Sequence, residues 1–273
     1  MTTKTLRGLA MGTLGLSLAA GCDLGDRVTG QEMRQAMEEI VLTGDAQSLE
    51  DGVVELTTSF TIGDGVESII SEVRAFAESQ VPCSTVDATD PGSVSIDFGL
   101  LEDACTYRGK TYAGVVTVSW EVGADEVVVT HDYEGLTNGR VTLDGEATVT
   151  WSRESRRVRT DLAFQGEAAD IEVESDRTQT LIGGFGDGVR VVGTRDWTGP
   201  SGSWALDIDD VELRAVDPVP QAGTYTLTTP ADKTLTLSFA RVDEDTIEVS
   251  MAGGFRDRVF LVTAAGQISD GDD

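Results

Sequence analysis

Between Tyr112 and Val173 the chain falls into successive runs in which apolar and polar residues alternate, and no proline interrupts the chain between Gly92 and Gly199. No other feature restricts the fold as much. A β-strand turns successive side chains to opposite faces, so a period of two means strands with one dry face and one wet face. Tyr112, Gly114, Val116, Val118, Trp120 and Val122 share one face of a long strand, and Val127, Val129, His131 and Tyr133 share one face of the next. Asn138-Gly139 is a hairpin turn signal. Val141, Leu143, Ala147, Val149 and Trp151 then alternate with Thr142, Asp144, Glu146, Thr148 and Thr150. Val158, Thr160, Leu162 and Phe164 face away from Arg157, Arg159 and Asp161, and Ile171 and Val173 oppose Asp170, Glu172 and Glu174. Further strands are expected around 188–197, 203–216, 222–229, 233–241, 245–251 and 257–263. The phase slips by one residue at Asp209-Asp210, which predicts a β-bulge.

Strands joined by short turns without intervening helices make an antiparallel meander, and about ten of them cannot stay flat. The fold class is therefore mainly β with an N-terminal helical segment (α+β), its meander curled into a half-barrel, a barrel or a sandwich. Residues 29–81 form the helical segment and 82–273 the β domain. Thr29 with Glu32 fits a capping box, and Met33, Ala36, Met37, Ile40 and Val41 make one apolar stripe. Gly44 is expected to end that helix. A second run, Asp64 to Gln80, repeats the pattern, with a weaker helix allowed between the two through Leu49, Val53 and Leu56. Asp217-Pro218-Val219-Pro220 is expected to set off a last section, 218–265, and residues 266–273 read as a disordered acidic tail.

The N-terminus carries an address. Lys4 and Arg7 precede the uncharged apolar run Leu9 to Ala20, too short to span a bilayer but fitting the core of a secretory signal peptide. It ends in Leu18-Ala19-Ala20-Gly21-Cys22, which resembles the bacterial lipobox, with Ala19 where the commonest form has Leu. That resemblance implies cleavage after residue 21, palmitoyl-type acylation of Cys22 and a membrane anchor made of lipid, with residues 22–28 as a tether. It places the protein on the extracytoplasmic side, at the outer membrane, or at the inner membrane if Asp23 acts as a retention signal. A second resemblance rests on Ile96-Asp97-Phe98-Gly99, Cys105, Gly114-Val115-Val116-Thr117-Val118 and the Pro218 to Tyr225 stretch. These are similar to uncharacterised bacterial lipoproteins, which bring no activity with them.

Setting Cys22 aside leaves Cys83 and Cys105, an even pair that reads as a disulfide in an oxidising compartment. A metal pair would need closer spacing or more ligands. The 48 acidic residues against 20 basic give a net charge of −28. That excludes nucleic acid as a partner and excludes an electrostatic hold on anionic lipid, so the expected membrane link is the lipid on Cys22.

No catalytic constellation stands out, and no cofactor or metal is expected. His131, the sole histidine, lies in phase with Val129 and Tyr133, a packed position. Asp207, Asp209, Asp210 and Glu212, and likewise Asp243, Glu244 and Asp245, are acidic enough to hold Ca²⁺ but read first as charged turns. Arg153, Arg156, Arg157 and Arg159 form the only basic cluster, expected at a solvated hairpin end. Trp120, His131, Tyr133, Trp151 and Phe164 either face a ligand or fill the core. The sequence points to a lipid-anchored envelope protein with a structural or binding role. Its alternatives are a carrier of an apolar ligand such as an acyl chain, and a glycan hydrolase.

Overall fold

The computed structural model describes residues 27–60, 65–90, 92–152, 155–166, 170–182, 188–214 and 216–271; the expected leader and lipobox, with Cys22, lie outside them. Thr29 opens the first helix, α1 (Gly30–Thr57), with the expected capping box. Its hydroxyl accepts from the Glu32 amide at 3.2 Å, and the Glu32 carboxylate accepts from the Thr29 amide at 2.6 Å. The expected stop at Gly44 does not occur: α1 runs for 28 residues through Gly44 and Gly52. A Cβ on Gly44 would lie 1.8 Å from the Pro218 carbonyl oxygen, and one on Gly52 2.0 Å from the Tyr112 hydroxyl. Glycine is needed at both positions for close approach, not for termination. Helix α2 (Val66–Gln80) turns Ile69, Val73 and Ala77 inward.

The sheet has fifteen strands, more than the ten or so read from the sequence. It begins with β1 (Thr85–Asp90), β2 (Ser93–Asp97) and the short β3 (Cys105–Tyr107). The long strands follow: β4 (Lys110–Val122), β5 (Val127–Thr137), β6 (Val141–Trp151), β7 (Arg156–Gly166), β8 (Asp170–Leu181), β9 (Val189–Gly199) and β10 (Gly202–Leu213). Last come β11 (Ala222–Thr228), β12 (Thr234–Arg241), β13 (Thr246–Ala252), β14 (Arg258–Thr263) and β15 (Ile268–Asp270). They pair antiparallel in chain order, with β3 attached to β4 alone, and the first and last strands do not meet. The meander is curled but open. The bulge falls where the phase slip put it: the β9–β10 register shifts between Ile208 and Val211, and Asp210 has φ +49°.

The sheet curls around α1. Arg195 of β9 donates to the Thr43 carbonyl at 3.2 Å, Lys233 before β12 reaches Glu32 at 2.8 Å, and Arg34 reaches Asp270 of β15 at 2.7 Å. The β5–β6 turn and the β14–β15 turn meet over the helix, where Arg140 pairs with Asp45 at 2.7 Å and donates to the Ala265 carbonyl. A helix so enclosed buries residues on every side, so its second half lacks the single apolar stripe of a surface helix.

Three boundaries differ from expectation. Asp217, Pro218, Val219 and Pro220 are buried against α1, and β11 pairs directly with β10, so the last section continues the same sheet. The expected acidic tail is ordered over Ile268–Asp270, because β15 pairs with β14 and Asp270 takes ion pairs from Arg34 and Arg258. Val28, assigned to the tether, is buried and bridges Gly254. The Cys83–Cys105 disulfide is formed, with Cα atoms 5.6 Å apart, and ties the segment after α2 to β3. In the chain-entropy picture a loop of this size adds about 3 kcal/mol. Among the described residues no helix is long and apolar enough to cross a membrane.

Candidate functional site

The second half of α1 carries Asp45, Gln47, Ser48, Glu50 and Asp51 into the interior. Their partners come from the inner positions of β7, β8 and β9. Arg156 is in phase with Val158 and Leu162, Arg177 with Ile171 and Val173, and Arg195 with Val191 and Trp197, so the pleat itself turns these arginines inward. Arg177 pairs with Glu50 at 2.8 Å and with Asp51 at 3.4 Å. Gln179 donates to Asp51 at 3.0 Å, and Arg195 donates to the Gln47 side-chain carbonyl at 2.8 Å. Arg156 donates its Nε–H to the Gln179 side-chain carbonyl. Arg156, Arg177 and Arg195 here face Glu50 and Asp51, while Asp45 on the same half of α1 pairs with Arg140.

Burial dominates the electrostatics of this cluster. It pushes Glu50 up to about 7 despite Arg177 alongside, and Glu50 Oε1 has no hydrogen-bond partner among the described residues. It lowers the pKa of Arg156 and of Arg195. Burial also works against the Arg177 charge, but Glu50 and Asp51 outweigh it and hold that pKa above the ordinary value. An interior pair of this kind adds little net stability, yet losing one partner strands the other.

Beside the cluster lies a cavity of about 260 Å³. Its floor is the Ser48, Asp51 and Glu55 face of α1, and its walls are Trp151 and Arg156 at the β6–β7 end, Val189 and Leu213 at the β9 and β10 ends, and Tyr225 of β11. Most of the charges on this wall are already matched. Glu55 pairs with Arg108 at 3.1 Å, and Asp217 with Arg214 at 3.0 Å and with Arg241. Arg156 is 6% exposed, and its guanidinium carbon lies 6.0 Å from the centre of the Trp151 ring.

Of the aromatic candidates, Trp151 alone reaches this cavity. Tyr133 and Phe164 are 1% exposed, in the core. Trp120 is buried, bordering a shallow groove beside α2. His131 is fully buried with its Nε2 2.6 Å from the Thr57 hydroxyl, and burial holds it down to about 4. The basic cluster divides. Arg157 and Arg159 pair with Asp176 on the wet face at 2.5 and 3.2 Å, whereas Arg156 points inward, correcting the expectation of a solvated hairpin end; Arg153 lies outside the described residues. Asp210 and Glu212 pair with Arg190 at 3.2 and 3.0 Å, and Asp243 accepts from the Asp245 amide at 2.9 Å. Asp97 accepts from the Gly99 amide at 2.8 Å, as a turn carboxylate does.

The sequence reading did not single out Glu50, Asp51, Arg177, Gln179 or Arg195. The strand phase carried the signal for the strand residues, while nothing local marked Glu50 and Asp51 as interior. Compared with protein-family models, with curated proteins and with solved structures, the chain matches none.

Proposed function

We propose that this chain is a lipid-anchored bacterial envelope protein with a binding role, held by acylated Cys22 at the outer membrane. The cavity between α1 and the ends of β6 to β11 is the observation that carries the binding role. It is concave, its accessible surface is mostly apolar, and many polar and charged side chains, among them Asp51, Glu55, Arg108, Arg156, Arg214 and Asp217, converge on it, as a small-molecule site requires. The anchor rests on the charge, length and lipobox of residues 4–22.

Two further observations rank the alternatives. α1 occupies the concave side of the sheet, where Tyr133 and Phe164 pack, which supports a compact ligand at the Trp151 end over an acyl chain laid along the strands. The cavity carboxylates Asp51, Glu55 and Asp217 are each tied to an arginine, which disfavours a hydrolase acting through a free carboxylate pair. The test has two parts. Cys22→Ser should move the protein from the membrane fraction to the soluble one, and native mass spectrometry of the released protein should show a co-purifying small molecule. Membrane retention of Cys22→Ser at wild-type levels would overturn the anchor, and an empty protein that binds no small molecule would overturn the binding role.

A further inference from the structure

Three arginines stand on the cavity wall among the described residues: Arg108, Arg156 and Arg214. Arg108 answers Glu55 and Arg214 answers Asp217. Arg156 differs. Its Nε–H is used on Gln179, but its two Nη groups make no hydrogen bond or ion pair with any described residue. Arg156 is 6% exposed as a residue and lines the cavity, so an acceptor bound there would meet a guanidinium already largely withdrawn from bulk water. Its outer fork is the geometry that takes a carboxylate through two parallel hydrogen bonds.

The surroundings narrow the class of anion. Trp151, Val189, Leu213 and Tyr225 supply apolar and aromatic surface next to the fork. Asp51 and Glu55 share the cavity and would repel a doubly charged group more than a singly charged one. We propose that the cavity binds a small monocarboxylate with an apolar body, its carboxylate on Arg156 and its body against Trp151. The proposal rests on the binding role and adds the ligand's chemistry to it. The acidic exterior plays no part in attracting such a ligand; at −28 the surface field opposes an anion, so association should quicken as salt screens it.

The test is calorimetric titration of the acylated protein, residues 22–273, in detergent with benzoate, hexanoate, acetate, inorganic phosphate and benzylamine. Benzoate or hexanoate should bind at least tenfold tighter than acetate or phosphate, and benzylamine should not bind. Arg156→Lys keeps the charge but loses the fork, and should weaken the carboxylate at least tenfold. Val189→Phe fills the cavity without touching Arg156, and should abolish binding while leaving the melting temperature within a few degrees. It keeps the proposal testable if Arg156→Lys does not fold. Binding unchanged in Arg156→Lys and Val189→Phe, or tighter binding of benzylamine, would overturn the proposal. A co-purifying molecule of another class, with no carboxylate binding, would overturn it while leaving the binding role standing. No co-purifying molecule and no binding of any probe would overturn both.

Discussion

The two halves of α1 are enclosed by one sheet but meet different interiors. Up to Val41 the helix buries Met33, Ala36, Met37, Ile40 and Val41, an apolar stripe of ordinary spacing. From Thr43 to Asp51 it buries mainly polar and charged side chains against Arg156, Arg177, Gln179 and Arg195. The first half is held by burial of area, which is non-directional and tolerates repacking. The second is held by matched charges and hydrogen bonds, where one missing partner leaves a buried charge alone. The cavity opens on the second half, where binding chemistry has the charged groups it needs.

The comparison breaks most sharply at Arg177. Arg177→Met should cost about 3–5 kcal/mol in denaturant unfolding, because it takes the paired guanidinium from buried Glu50 and leaves Asp51 with amide donors only. In the apolar half, Met37→Ala should cost about 2–4 kcal/mol as a cavity mutation. The cost at Met37 should be the same at pH 5 and pH 8, while that at Arg177 should grow with pH as Glu50 ionises. Equal pH dependence of the two would erase the distinction between the halves.

Glu50 sharpens it further. The folded protein holds the Glu50 proton up to about pH 7, and the unfolded chain releases it near the ordinary value of 4.5. Over that window the native state binds more protons, so this group's contribution to stability falls as pH rises. Glu50→Gln should remove that fall and gain about 3 kcal/mol on wild type between pH 4.5 and pH 7. A pH-independent difference between the two proteins would refute it. The smallest effect is expected at Gly44. Alanine in a helix interior ordinarily gains about 1 kcal/mol over glycine. Here the Pro218 carbonyl oxygen stands 1.8 Å from the added Cβ, and backbone must move. Overpacking of about 1–3 kcal/mol should reverse the sign, so that Gly44→Ala destabilises by about 1 kcal/mol. A stabilised Gly44→Ala protein in thermal melts would contradict the enclosed helix.

How much of this was legible in the sequence follows the same division. The strand phases of β4 to β8, the capping box at Thr29 and the bulge at Asp209-Asp210 were readable, because each is written in residues a few positions apart. The run of α1 through Gly44 was not, because the reason for that glycine is a carbonyl more than a hundred residues away. Arg156 was legible in principle. It shares its phase with Val158, Thr160, Leu162 and Phe164, but three neighbouring arginines made it read as a solvated turn. Arg177 and Arg195 carried the same signal on β8 and β9. Phase, which reports the pleat, outweighed charge, which reports only the average preference of a side chain.

A double-mutant cycle between Glu50 and Arg177 tests the ionic interior most directly. Unfolding free energies of wild type, Glu50→Gln, Arg177→Met and the double variant would be measured at pH 8, above the value of about 7 at which the folded wild type holds Glu50. A coupling of about 2 kcal/mol is predicted, with the double variant less destabilised than the two single costs combined. Additivity within about 0.5 kcal/mol would contradict a buried pair at the centre of the fold.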